Sequence, residues 1–386
     1  MAVNRKYFVS TLLVVGILLI FSGSKLDTRY VYFLPRSRVQ ENRSTTLSMI
    51  FAGDIMAHDV NYTRKPYAPI YEGIRSAVWE ADLSFANLEF VFDPGKEPSN
   101  YPYFNAPVDY VKAAIDGGFN VFSLANNHSL DMGRDSVLET LSVMDTLSKH
   151  HRVYYSGTVA DPADRFNPVY FEVSGVRVGF LAVTSFLNKL KNDDYVNVVP
   201  YYDATAADEL VERIKNDSAN ADIFILSYHG GGEYTREPTE WKRDLFYRFV
   251  NAGADIVWGH HTHVAQPWET VRTPMGKKLI LYSTGNLISG QTWRSGPDNE
   301  NDGRDGTGES ALYTVGLVVN NGTATIERVT AIPVFNHRDG KSGMVIKRFD
   351  TIDTLEMNED WELYYKNRLS DLSTRLFDNS PWDFVR

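Results

Sequence analysis

The stretch Gly259-His260-His261-Thr262-His263 places three imidazoles within four residues, directly after the apolar run Ala254-Asp255-Ile256-Val257-Trp258. Imidazole is the commonest protein metal ligand and is available in its neutral form near pH 7. The pattern of an apolar run followed by polar ligand types recurs along the chain. Leu47 to Ala52 leads to Asp54, with His58 four residues on; the pair can put two hard ligands on one ion, or Asp54 can cap a helix or turn. Leu83 to Ala86 leads to Asn87 and Glu89, which face one way in an extended chain. A carboxylate buried there needs a cation or an arginine. Phe119 to Ala125 leads to Asn127 and His128, Ile223 to Tyr228 leads to His229, and Lys278 to Ser283 leads to Asn286. His229 opens His229-Gly230-Gly231-Gly232-Glu233, whose glycines allow backbone to approach a ligand closely, or simply form a mobile loop.

Six of the nine histidines fall in or beside these motifs, which argues against incidental histidines in polar loops. Two metal ions a few ångströms apart need about this many nitrogen and oxygen ligands, including one carboxylate that bridges both. The chain has no cysteine, so the donors are imidazole, carboxylate, amide and backbone oxygen. Such donors suit Mn, Zn, Fe or Mg.

The elements that position these residues read as apolar strands alternating with helices. Helical patterns span Val108 to Asp116, Asp135 to Lys149, Thr205 to Asn216 and Glu240 to Asn251. Hairpins are expected around Ser174-Gly175 and Asn320-Asn321-Gly322. Alternation of this kind argues for α/β layers, with chemistry at the carboxyl ends of the strands. The Pro- and Tyr-containing loop from Phe90 to Ala106 either covers a site or is plain surface.

Arg5 and Lys6 precede an apolar run from Tyr7 to Phe21. A basic segment followed by an apolar one directs the rest of the chain across a membrane. The expectation is a single uncleaved anchor at the cell membrane with the main domain extracytoplasmic; the alternative is a signal peptide, with secretion after cleavage near Ser22-Gly23-Ser24. The domain plan is therefore residues 1–24 as anchor or signal peptide, 25–46 as a tether, 47–340 as the folded domain and 341–386 as a C-terminal extension. A net charge of -10 argues against nucleic acid as a partner, which requires a basic face.

Six ordered motifs, Phe51-Ala52-Gly53-Asp54-Ile55-Met56, Ala86-Asn87-Leu88-Glu89, Ser123-Leu124-Ala125-Asn126-Asn127-His128, Ser227-Tyr228-His229-Gly230-Gly231, Gly259-His260-His261-Thr262-His263 and Tyr282-Ser283-Thr284-Gly285-Asn286, resemble those of CapA/PgsA-type poly-γ-glutamate capsule biosynthesis proteins. That family lies within the calcineurin-like metallophosphoesterase superfamily. The resemblance spans Leu47 to Pro333 and implies a four-layer α/β/β/α sandwich, with an N-terminal membrane helix. It implies Asp54 and His263 on a first divalent ion, Asn127, His229 and His261 on a second, and Glu89 bridging the two. It implies His128 as the catalytic contact to a leaving group. His58, Asn87, His260 and Asn286 are additional candidates. Two departures stand out: the superfamily's Asp-x-His opening is absent, and Glu89 stands where the bridging Asp stands. The function implied is synthesis or export of poly-γ-glutamate at the membrane, beside other membrane-bound synthesis components. The alternatives are a metal-dependent hydrolase of phosphoesters or amides, and a non-catalytic module that tethers the polymer.

Overall fold

The computed structural model describes residues 44–377, apart from 190–192, 300–303, 305 and 321. The expected anchor and most of the expected tether lie outside the described residues. Among the described residues no helix is long and apolar enough to cross a membrane.

Among the described residues, fourteen strands form two sheets. They are β1 (Ser44–Ile55), β2 (Leu83–Leu88), β3 (Val121–Ser123), β4 (Tyr154–Ser156), β5 (Val169–Val173), β6 (Val176–Thr184) and β7 (Ile223–His229), then β8 (Ile256–His260), β9 (Trp268–Thr273), β10 (Gly276–Leu281), β11 (Asn286–Ile288), β12 (Glu309–Asn320), β13 (Thr323–Asp339) and β14 (Gly343–Arg348). The first sheet runs β14-β13-β12-β1-β2-β3-β4, with β11 alongside the end of β1; the second runs β5-β6-β7-β8-β10-β9. β1 to β4 are parallel neighbours, as are β6, β7, β8 and β10. Helices make most of these parallel crossovers, while β8 and β10 are joined through β9.

Side-chain alternation along these strands builds a core on each face of each sheet. Met49, Phe51, Phe85 and Val121 of the first sheet meet Val178, Phe180, Ile225, Ile256, Trp258 and Leu281 of the second in one apolar cluster. Phe85 packs edge-on against Phe180 at 5.7 Å, and Phe51 against Trp258 at 5.7 Å. Aromatic pairs of this kind add about 0.5–1.5 kcal/mol each beyond their burial. The Trp258 indole N–H donates to the Ala52 carbonyl at 3.0 Å, so the one polar atom of that ring is satisfied across the sheets. On the outer face of the first sheet, Ala86 and Phe122 pack with Val111, Ala114, Val137 and Met144 from helices Val108–Asp116 and Arg134–His150. On the outer face of the second, Leu226, Val257 and Ile280 pack with Leu210, Ile214, Phe246 and Phe249 from helices Ala204–Ser218 and Glu240–Ala252. The layer order is helix, sheet, sheet, helix.

Several expected boundaries move. The first strand starts at Ser44 rather than 47. The segment read as an extension after 340 contributes β14 to the first sheet, and helix Glu359–Phe377 buries Tyr364, Tyr365, Leu372 and Leu376 against the inter-sheet core. Glu309 holds that helix through Arg368 and Arg375, at 2.6 and 3.6 Å.

Candidate metal centre

The parallel strands of both sheets end on the same edge of the sandwich, and that edge carries the polar motifs. Asp54 lies near the end of β1, Asn87 in β2, Glu89 one residue past β2, His229 at the end of β7 and His260 at the end of β8. β8 reaches this edge close beside β10: a Cβ on Gly259 would lie 2.0 Å from the Tyr282 carbonyl oxygen. The chain then turns sharply. His261 has φ 84° and His263 φ 60°, the left-handed region that non-glycine residues seldom occupy. Strain of this kind persists only where the surroundings over-determine it, and here it aims two imidazoles inward.

Among the described residues, three groups of side chains have donor atoms mutually within 4.8 Å: Asp54, Glu89 and His263; Glu89, His229 and His261; and Glu233, His261 and His263. The first two groups share Glu89. That side chain is fully buried, and neither carboxyl oxygen has a hydrogen-bond partner among the described residues. Burial, with Asp54 beside it, holds the Glu89 carboxyl well above the ordinary range. Burial works against charge on Asp54 too, but His260, followed by His263, outweighs it and keeps this carboxylate below its ordinary range. Burial holds His229 and His261 well below the ordinary histidine value, so both present neutral imidazole. Burial also lowers His263, against the pull of Asp54. A fully buried carboxyl beside a second carboxylate and flanked by neutral imidazoles is a donor set that fits divalent metal.

The surrounding amides fix these donors. His263 Nδ1 lies 3.0 Å from Asn286 Oδ1, while the Asn286 Nδ2 donates to Gln291 Oε1 and the Thr307 carbonyl, at 2.9 and 3.0 Å. With its donors committed, the Asn286 oxygen accepts from Nδ1–H, and the lone pair of His263 is left on Nε2. This is how a neighbouring group commonly orients a metal-binding imidazole. Asn87 Nδ2 donates to Asp54 Oδ1 at 2.9 Å and lies 3.4 Å from His229 Nδ1. Asn127 Oδ1 lies 2.7 Å from His229 Nε2, which is in turn 3.7 Å from Glu89 Oε1. His260 Nδ1 lies 2.8 Å from Asp54 Oδ1, so His260 braces Asp54 and belongs to none of the three groups.

His58 also stands apart from all three groups. Its Nδ1 accepts from the Gly290 N–H at 3.0 Å, and its ring packs edge-on against Phe104 at 5.1 Å. Burial, then His263 and His128, push it down to about 3, which keeps Nδ1 an acceptor. The helical turn that follows, Asp59–Tyr62, carries the chain away from the strand end.

His128 sits at the side of the cluster. Its Nδ1 lies 2.5 Å from Oδ2 of the fully buried Asp131, which also accepts from the Phe104 N–H at 2.8 Å. Phe104 packs against the His128 ring at 4.7 Å, so the loop from Phe90 to Ala106 does reach the site. Asp131 was not among the expected site residues, although a carboxylate three residues after a histidine in a turn is a visible signal. Asn188 left no such signal. It is exposed, accepts from Asn127 Nδ2 at 3.2 Å and places its own amide nitrogen 3.3 Å from His128 Nδ1. Phe186, on the same segment, packs edge-on against His261 at 4.9 Å.

The family of bacterial capsule synthesis proteins designated PGA_cap matches residues 48–291 of the chain. The capsule biosynthesis protein CapA of Bacillus anthracis is 27% identical over 341 residues, which cover 84% of this chain and 76% of that protein. The PGA biosynthesis protein CapA of Bacillus subtilis (strain 168) is 26% identical over 309 residues, covering 77% and 74%. Among solved structures, a phosphatase from Mycoplasma pneumoniae aligns with a TM-score of 0.43 at 15% identity, covering 76% of this chain and 95% of that one. A likeness of that size assigns neither fold family nor activity.

Proposed function

The chain belongs to the PGA_cap family of bacterial capsule synthesis proteins, and on that premise we propose that it serves the synthesis or export of poly-γ-glutamate through a two-metal centre of the metallophosphoesterase type. Asp54 and His263 would hold one divalent ion, Asn127, His229 and His261 would hold the other, and Glu89 would serve both. The observation that carries this reading is the fully buried Glu89 side chain, common to two donor groups, with Asp54 beside it and His229 Nε2 3.7 Å away. When bound, the ions supply Lewis acidity and positive charge at the strand ends. Asn286 and Asn87 fix the donors; Phe104 and Phe186 screen the flanks. The positive centre also answers a physical difficulty: a chain of net charge -10 repels a polyanion unless cations meet it locally. The proposed location is extracytoplasmic, on a single N-terminal anchor within residues 1–24, which membrane fractionation with and without that segment tests.

The His128–Asp131 pair favours hydrolysis as a second reading. Asp131 accepts from Nδ1–H, so that when the ring is doubly protonated its Nε2–H is the proton that can pass to a leaving group of a phosphoester or amide. Polymer output from a producing cell that carries only Glu89→Gln or only His128→Ala separates the readings. Loss in both variants supports hydrolysis, loss in Glu89→Gln alone supports a metal-dependent but non-hydrolytic role, and full output from both overturns the metal-centred proposal.

A further inference from the structure

The third donor group contains a residue outside the proposed ligand set. Glu233 has a carboxylate oxygen within 4.8 Å of donor atoms on both His261 and His263, and the same two histidines contribute one to each ion of the proposed pair. Among the residues of the three groups, Glu233 alone is exposed. Its carboxylate makes no hydrogen bond or ion pair among the described residues, although it is close enough to Glu89 and His263 to act on them electrostatically.

The backbone around Glu233 is pegged to the histidine turn itself. The Tyr234 N–H donates to the Thr262 carbonyl at 2.8 Å, and Thr262 lies between His261 and His263 in the chain. The Gln266 side-chain amide donates to the Thr235 carbonyl at 2.9 Å, which pins the other flank. Tyr234, directly after Glu233, has φ 61°, and Gly231, two residues before it, has φ 126°. The Tyr234 ring lies 5.9 Å from that of His263. A carboxylate on a loop clipped between two ligand histidines is held at the metal centre, while its exposure leaves it free to exchange.

We propose that Glu233 is a displaceable ligand on the solvent side of the metal centre, and that the position it holds is a seat for a carboxylate from an incoming ligand. The inference rests on the metal centre proposed above. Carboxylate is the ligand chemistry that the chain itself presents there, and a polymer or peptide bearing side-chain carboxylates would enter by replacing Glu233. The other donors are buried and offer no such exchange.

The test is titration of the full chain with Mn²⁺ alone, followed by calorimetry and by the Mn²⁺ electron paramagnetic resonance line shape, for wild type, Glu233→Gln and Glu89→Gln. Glu233→Gln is expected to weaken Mn²⁺ binding on the order of 10-fold, with unchanged circular dichroism, and millimolar glutarate is expected to restore most of the loss. Unchanged affinity and line shape in Glu233→Gln, with wild type binding Mn²⁺, overturns this inference and leaves the metal centre standing. A loss that glutarate does not restore overturns the exchangeable seat. No Mn²⁺ bound by wild type overturns both.

Discussion

His128 Nδ1 lies 2.5 Å from Oδ2 of Asp131, a carboxylate with no exposure to solvent. The contact commits Nδ1 and fixes the ring plane, with Phe104 against one side and the Asn188 amide at its edge. If the site hydrolyses its substrate, Asp131→Asn lowers kcat by about 10²-fold, and His128→Ala by about 10²–10⁴-fold, with metal content unchanged in both. Steady-state kinetics on a phosphoester and on a γ-glutamyl amide check this. Equal turnover in wild type and His128→Ala would remove the histidine from the chemistry.

Lys242 is buried beneath the site, in helix Glu240–Ala252, with Gln266 Oε1 at 3.4 Å as its hydrogen-bond partner. Burial pushes it down to about 7 from an ordinary value of 10.5. The unfolded chain therefore binds a proton here up to pH 10.5 that the folded chain has begun to release at pH 7. Between those values this group makes stability rise with pH. Lys242→Met is expected to stabilise the protein at pH 7 by about 1–4 kcal/mol and to flatten the rise. Denaturant unfolding from pH 7 to 10 tests it, and a destabilised Lys242→Met would show that the amine holds the fold through its neighbours.

His58 gives the acid side of the same linkage. Held near 3 rather than 6.5, it stays neutral in the fold while the unfolded chain takes up a proton. Its contribution to stability is complete above pH 6.5 and falls as the pH drops from 6.5 to 3, by at most about 1.4 kcal/mol per pH unit. His58→Asn, which keeps an acceptor for the Gly290 N–H, should show a shallower loss in urea unfolding between pH 6.5 and 4.

A methyl group on Gly259 would overlap the Tyr282 carbonyl oxygen at 2.0 Å. Gly259→Ala must push β8 away from β10 and move the histidine turn that follows. A loss of about 3 kcal/mol or more is expected, read by unfolding, together with weakened metal binding.

A chain ended at residue 340 loses Met344, Ile346, Phe349, Tyr364, Tyr365, Leu372 and Leu376, all buried. At about 1.5–3 kcal/mol for each side chain, the loss rivals or exceeds the 5–15 kcal/mol that typically holds a domain folded. Such a chain is expected to be insoluble or unfolded, by circular dichroism, while ending at residue 377 preserves the fold.

Strands that are apolar on both faces, such as Ile223–His229 and Ile256–His260, stand out in the sequence because nearly every position is buried. The ligand motifs at their ends stand out for the same reason: a polar group directly after such a run is placed at the rim of the core. β14 and the final helix were less visible. Their apolar residues are spread among charges, and their role depends on pairing with β13 and on Glu309, more than thirty residues upstream in the chain. β9 was missed because only Trp268 along it is buried. The reach of His58 could not be read from spacing alone, because it depends on the short turn Asp59–Tyr62. Glu233 was visible as a residue, but its relation to His261 and His263 arises from the hydrogen bond between Tyr234 and Thr262, which sequence does not display.

The most direct measurement is the metal content of purified wild-type protein and of Glu89→Gln, with Mn²⁺ resonance spectra of both. Two ions per chain with a spin-coupled signal in wild type, and loss of the coupling with at most one ion in Glu89→Gln, is the result expected of a carboxylate shared by two donor groups. A single uncoupled ion in wild type, or a coupled pair that survives Glu89→Gln, would contradict it.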